Sequence, residues 1–402
     1  MDINANSFYE VAGVRLAAVA SNIRYADRLD LVLIEIALGA AVAGVFTQNA
    51  FCAAPVLLAR KHLQATTSSY FLINTGNANA GTGATGREDA LRCCQTLAKL
   101  AEVQASSVLP FSTGVIGEPL PVDKIVFGLP EAIDKLSASN WLQAATGILT
   151  TDTRPKLAST QIELDGKSVT ITGMAKGSGM IKPDMATMLA FVFTDAQIHQ
   201  ELLEQKLAQA VSHSFNRITV DGDTSTNDSC MLVATGHSQV QIDAGNNSVN
   251  EEFDRALRQI FQELATGLIR DAEGATKFIT ISVRQGASTE ECLQVAYTVA
   301  ESPLVKTAFF ASDPNWGRIL AAVGRSGLKD LALDAIAITL GDVSLISNGE
   351  LDPNYVEEMA QIEMDKQEIT IEIKLARGHC SETIWTSDLS YDYVKINAEY
   401  RT

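Results

Sequence analysis

Basic residues are in short supply in this chain. Its 402 residues include 31 Lys and Arg against 48 Asp and Glu, a formal net charge of −17. A surface of that sign repels a phosphate backbone and lacks the Lys/Arg clusters that hold a protein to an anionic membrane, so neither nucleic acid nor a membrane surface is an expected partner. Histidine is scarcer still. The five histidines form no His-x-x-x-His pair and no His/Cys cluster, which argues against a metal site. The six cysteines (Cys52, Cys93, Cys94, Cys230, Cys292 and Cys380) have no Cys-x-x-Cys spacing and read as buried thiols, not as disulfides or ligands. Long apolar runs are missing too. The longest, Ile36 to Phe46, falls short of the roughly 20 residues that span a bilayer. The first ten residues, Met1 to Glu10, lack the basic and apolar regions of a signal peptide. There is no low-complexity segment and no obvious repeat. A soluble, cytosolic protein is expected.

What is present is an ordinary globular balance, 46% hydrophobic and 20% charged. The length suits two or three average domains, or one large α/β unit with two lobes. Strand-like runs recur at Leu31–Ile36, Val56–Leu58, Tyr70–Ile73, Val169–Thr172, Met188–Phe193, Met231–Ala234, Phe278–Val283 and Ile369–Ile373. Helical periodicity appears between them. Residues Glu88–Val103 place Leu91, Cys94, Leu97 and Ala101 on one face, and Glu251–Arg270 does the same with Phe253, Leu257, Ile260, Leu264 and Leu268. Asn250 is the expected N-cap of the second helix, with Glu251 and Glu252 in its first turn. The alternation predicts an α/β or α+β layered fold.

The most informative stretch is Lys176-Gly-Ser-Gly-Met-Ile-Lys-Pro-Asp-Met-Ala-Thr-Met-Leu-Ala-Phe191. Its Gly, Ser and Pro residues read as a loop, which runs straight into an apolar stretch that reads as a short buried strand. Thr187 stands at the junction. Threonine is common at strand starts, and on these features alone the residue reads as structural. Cutting the Ala186–Thr187 bond would change its chemistry, because a free α-amine beside the hydroxyl is a nucleophile with a built-in base.

The pattern Lys-Gly-Ser-Gly-Met-Ile-x-Pro-x-Met-Ala-Thr-Met-Leu closely resembles the self-cleavage site of the ornithine acetyltransferases, the bifunctional glutamate N-acetyltransferases of arginine biosynthesis. Further segments are similar to that family: Ser112-Thr-Gly-Val-Ile-Gly117, Asn74-Thr-Gly-Asn-Ala-Asn-Ala80, Thr150-Thr-Asp-Thr-Arg-Pro-Lys156 and Ile218-Thr-Val-Asp-Gly-Asp-Thr-Ser-Thr-Asn-Asp228. So are Ser302-Pro-Leu-Val-Lys-Thr-Ala-Phe-Phe310, Asp313-Pro-Asn-Trp-Gly-Arg318 and Asn397-Ala-Glu-Tyr-Arg-Thr402, so the resemblance covers essentially the whole chain.

The resemblance implies a sandwich of sheets between helices of the N-terminal-nucleophile kind, in which the nucleophile begins a central strand. It implies self-cleavage into an α chain, 1–186, and a β chain, 187–402, joined as a heterotetramer of two α and two β. It also implies Thr187 as nucleophile, Thr113 and Gly114 as the oxyanion hole, and Thr150, Lys176, Thr187, Glu273, Asn397 and Thr402 as substrate contacts. The acetyl group of N²-acetylornithine would pass through Thr187 to glutamate with no metal or organic cofactor, and acetyl-CoA is a further donor in bifunctional members. Residue by residue the plain readings differ: a turn at Ser112–Gly114 and Thr150, a solvated charge at Lys176, an exposed loop charge at Glu273, and a frayed tail at Asn397 and Thr402. Asp313 and Arg318, which flank Trp316, are expected to form a structural ion pair. Two rivals stay open: an N-terminal-threonine amidase or aminopeptidase, and an uncut amino-acid-binding or scaffold protein.

Overall fold

The computed structural model describes residues 8–182, 188–245 and 247–399, with the backbone alone at Asn247. These fall into two compact units. One takes its residues from 8–177, 188–216 and 224–268, the other from 178–182, 217–223 and 269–399.

The first unit is built on two sheets. Strands Val14–Val19, Leu31–Ile36, Tyr70–Asn77 and Val108–Val115 make one, in that order, with the last two parallel. The other runs Ala41–Phe46, Ser229–Ala234, Leu189–Thr194, Lys167–Lys176, Lys156–Leu164. Its middle strand, Leu-Ala-Phe-Val-Phe-Thr, is buried at every position, as a strand covered on both faces must be. Alternation decides what each face meets. Phe191 points at the partner sheet, with its ring centroid 5.0 Å from Phe111 and 5.8 Å from Phe71, while Phe193 lies 5.6 Å from Trp141. These rings join the two sheets in one core. Val192 faces the other way with Gly173, onto Leu264 of helix Asn247–Arg270. Helices Gly83–Leu100 and Val122–Asp134 cover the outside of the first sheet. The order helix, sheet, sheet, helix, with mixed sheets, is a layered α/β fold as the pattern predicts, arranged as the sandwich that the resemblance implies.

The second unit centres on a seven-stranded sheet. Phe278–Gly286 lies between Glu368–Lys374, parallel to it, and Cys380–Ser387, antiparallel. Its core joins Ile279, Ile281, Val283, Ile371 and Ile384 to residues of helices Thr289–Ala300 and Trp316–Gly324. The short strand Ile218–Thr219 adds to its edge, parallel to Cys380–Ser387. No helix among the described residues is long and apolar enough to cross a membrane.

Four expectations change. Val56–Leu58 is part of a helix, Ala54–Ala65. Pro55 starts it, and Ala54, Val56 and Ala59 are buried while Leu57 is exposed, so three consecutive apolar residues were one helical turn. The Gly83–Leu100 helix buries Ala90, Cys93, Cys94, Leu97 and Ala98, a face turned slightly from the predicted one, with Ala101 just past its end. Asn250 is not a cap. The helix begins at Asn247, and the Asn250 side chain accepts from the buried Lys206 ammonium. Asp313 and Arg318 take separate partners: Asp313 accepts from Asn315 at 3.0 Å, and Arg318 donates to the Leu304 carbonyl at 2.9 Å.

Candidate active site

In the first unit the strand Val108–Val115 carries Ser112, Thr113 and Gly114 near its end. Its parallel neighbour presses close: Thr75 pairs with Thr113 and Gly76 with Gly114. Gly114 sits at φ +133°, and a Cβ there would lie 2.3 Å from the Gly76 carbonyl carbon. No side chain fits such an approach, so glycine is required there. Asn227 fixes the same corner, donating to the Ser112 carbonyl at 2.9 Å and the Ala78 carbonyl at 2.6 Å.

Lys176 comes to this corner from the other sheet. It ends the strand Lys167–Lys176 and pairs with Leu189. Its ammonium is buried, 4% exposed, and donates to the Thr113 hydroxyl at 3.0 Å and the Thr150 hydroxyl at 2.9 Å. Three of the expected site residues therefore meet around one cation. Because the Thr113 oxygen accepts from Lys176, its own proton is directed elsewhere, as an oxyanion donor requires.

Asp152 completes the cluster. It is buried and accepts from the Gly177 N–H at 2.8 Å, the Thr150 N–H at 3.1 Å and the Lys156 ammonium. Burial alone would raise its pKa; Lys176, Lys156 and these hydrogen bonds outweigh it and hold the carboxyl near about 2. Asp228 lies at the start of the Ser229–Ala234 strand. Its Oδ1 accepts from the Met188 N–H at 2.9 Å, and burial raises its pKa well above the carboxylate range.

The second unit holds two more of the expected residues, Glu273 and Asn397. Glu273 is buried, 8% exposed, and accepts from the Asn397 amide at 2.8 Å. Its backbone N–H donates to the Ser178 carbonyl at 2.8 Å. Gly179 lies against its carboxylate, where a Cβ would come within 2.4 Å of Oε2. The next residues are held by Asp221, which accepts from the Met180 N–H at 2.6 Å, the Ile181 N–H at 3.0 Å and the Tyr393 hydroxyl at 3.1 Å. Burial raises the pKa of Asp221. The Tyr393 hydroxyl is pushed up by burial and then by the Asp221 carboxyl.

Thus Thr113, Gly114, Thr150 and Lys176 share one corner, and Glu273 pairs with Asn397. Ala186, Thr187 and Thr402 lie outside the described residues. The plain readings of Lys176 as a solvated charge and Glu273 as an exposed one do not hold, since both are buried. Sequence reasoning did not single out Asp152, Asp221, Asp228 and Tyr393. The three aspartates stand inside the segments Thr150–Lys156 and Ile218–Asp228, whose polar composition looks like solvated turn. No group of three His, Cys, Asp or Glu able to hold a metal occurs among the described residues.

Compared with known proteins, residues 15–402 match the profile of the ArgJ family. The chain is 53% identical over 397 residues to the arginine biosynthesis bifunctional protein ArgJ of Pseudomonas syringae pv. tomato, covering 98% of each. It is also 53% identical over 392 residues to that of Methylococcus capsulatus, covering 98% of this chain and 96% of the relative. Among solved structures, the arginine biosynthesis bifunctional protein argJ of Bacillus halodurans is 37% identical with a TM-score of 0.50, and 97% of that chain matches 52% of this one.

Proposed function

This chain belongs to the ArgJ family, and on that premise we propose that it moves the acetyl group of N²-acetylornithine to glutamate through an ester on Thr187. It is an acetyltransferase of arginine biosynthesis, bifunctional like its relatives. The observation that carries the mechanistic reading is the Lys176 ammonium on the hydroxyls of Thr113 and Thr150. In this reading the Thr113 hydroxyl and the Gly114 N–H hold the oxyanion, and the Lys176 ammonium beside them suits a substrate carboxylate. Glu273, oriented by Asn397, suits the ammonium of ornithine. Thr402 is the remaining proposed contact.

Processing comes first. The Thr187 hydroxyl attacks the Ala186 carbonyl, the acyl group shifts from nitrogen to oxygen, and water hydrolyses the ester, freeing the Thr187 amine to act as base. A separate Bacillus halodurans chain matched by only about half of this one fits a processed subunit. The N-terminal-nucleophile architecture, a heterotetramer of two α and two β chains, a cytoplasmic location, the absence of any metal or organic cofactor, and acetyl-CoA as a second donor all belong to this reading. Purified protein should run as two fragments on a denaturing gel, the second beginning at Thr187, and Thr187→Ala should remain one inactive chain. A different new terminus, or cleavage that persists in the variant, would overturn the reading. Acetate release without any need for glutamate would favour the amidase instead.

A further inference from the structure

Helix Tyr391–Ala398 of the second unit carries Asn397, yet none of its residues is buried. Tyr391 leans on Phe310, with ring centroids 5.4 Å apart, and is still 83% exposed, so apolar burial does little to fix this helix. Polar contacts hold it instead. Its first turn is fastened to the residues that follow Glu273. The Ser390 hydroxyl caps the helix, accepting from the Tyr393 N–H at 3.3 Å, and donates to the Gly274 carbonyl at 2.7 Å. Asp388, just upstream, accepts from the Thr276 N–H at 2.8 Å and the Lys277 N–H at 3.0 Å. Gly274 lies at φ +67° against this turn, where a Cβ would come within 2.5 Å of the Tyr393 nitrogen.

A fastened first turn fixes where a helix begins; a further contact is needed to fix where it points. The Tyr393 hydroxyl makes that contact, donating to Asp221 Oδ2 at 3.1 Å. Asp221 is itself held by the backbone N–H groups of Met180, Ile181 and Asp223, at 2.6, 3.0 and 3.2 Å. These donors together use the full accepting capacity of a carboxylate. One turn beyond Tyr393, the Asn397 amide divides its protons between the Tyr393 carbonyl, at 3.0 Å, and Glu273 Oε2, at 2.8 Å. The Glu273 N–H returns to the Ser178 carbonyl at 2.8 Å, two residues before Met180, so the contacts close into a ring.

We propose that Asp221 and Tyr393 are positioning residues that set substrate selectivity: through Asn397 they fix the place of the Glu273 carboxylate that meets the side-chain ammonium of N²-acetylornithine. The inference rests on the reading of Glu273 as the partner of that ammonium. Hydrogen bonds weaken steeply as distance and angle leave their optimum. A small displacement of Glu273 therefore costs a donor that has the ammonium and spares one that lacks it.

The test compares two donors on the full-length enzyme with glutamate as acceptor: N²-acetylornithine and N²-acetylnorvaline, which has the same carbon chain without the terminal amine. Wild type should favour acetylornithine. Tyr393→Phe removes only the hydroxyl. It should lower kcat/KM for acetylornithine about tenfold, mainly through KM, and leave acetylnorvaline within about twofold. In a Glu273→Gln background the same change should cost nothing further, because the carboxylate it positions is gone. Asp221→Asn should shift selectivity in the same direction; the melting temperature checks its fold, and Tyr393→Phe decides the matter without it. Unchanged kinetics in Tyr393→Phe, equal losses for both donors, or the full loss again in the Glu273→Gln background would overturn the proposal. A wild-type enzyme with no preference between the donors overturns the pairing of Glu273 with the ammonium, and this role with it.

Discussion

Thr113 and Gly114 are neighbours with the same proposed task and very different tolerance to change. Thr113 contributes a hydroxyl whose oxygen is held by Lys176. Its replacement by alanine removes one donor from the transition state and little else, so kcat should fall about 10²–10³-fold while KM changes far less. A raised KM at unchanged kcat would make Thr113 a binding residue. Gly114 contributes backbone, at φ +133° and against the Gly76 carbonyl carbon. Gly114→Ala should therefore lower the melting temperature as well as activity, because the pairing of Tyr70–Asn77 with Val108–Val115 must shift to admit a methyl. An alanine variant that melts like the wild type would mean that the corner is looser than its geometry indicates.

At the scale of elements, the segment after Thr150 is fastened to the end of the Lys167–Lys176 strand by Asp152. This carboxyl holds Lys156 and the Gly177 N–H together. Its folded pKa, near about 2, lies below the unfolded value, so the stability it confers is present above about pH 4 and is lost as pH falls through about 2. Asp152→Asn keeps an acceptor for Gly177 but removes the negative charge that faces the Lys176 and Lys156 ammonium groups. Thermal melts across pH should place the variant well below wild type at neutral pH, with the two converging in acid. Parallel curves would remove the ion pair from that role. The same elements explain what could be read in advance. The strand expected at Met188–Phe193, found at Leu189–Thr194, was legible from its run of apolar residues, and Phe253 to Leu268 because their spacing is helical. The Thr113–Thr150–Lys176 cluster was legible only as resemblance. A lysine before a Gly-Ser-Gly loop reads as solvated, and its burial comes from a non-local meeting of two sheets that local pattern does not encode. Asp228 was hidden for the same reason: five polar residues precede it in a run, Asp223 to Asn227, and the strand pairing that buries it begins one residue later.

At the scale of the whole molecule, the proposed route asks one nucleophile to serve two amino acids on a chain whose net charge is −17. Glutamate is an anion, and the overall field opposes it. The local field differs: the Lys176 ammonium stands beside the Thr113 and Thr150 hydroxyls, and burial holds Asp228 toward its neutral form. One positive site that accepts an α-carboxylate can hold acetylornithine and glutamate in turn, since the two substrates are alike at that carbon, and one hydroxyl can carry only one acyl group between them. The expected kinetics are ping-pong. N²-acetylornithine alone should release a burst of ornithine equal to the enzyme present and leave one acetyl group on Thr187 of the 187–402 fragment, which glutamate then discharges. Double-reciprocal plots against both substrates should be parallel. Intersecting lines with no acetylated fragment would mean direct transfer in a ternary complex, in which case Thr187 carries nothing covalently and the Lys176 corner has to hold both substrates at once.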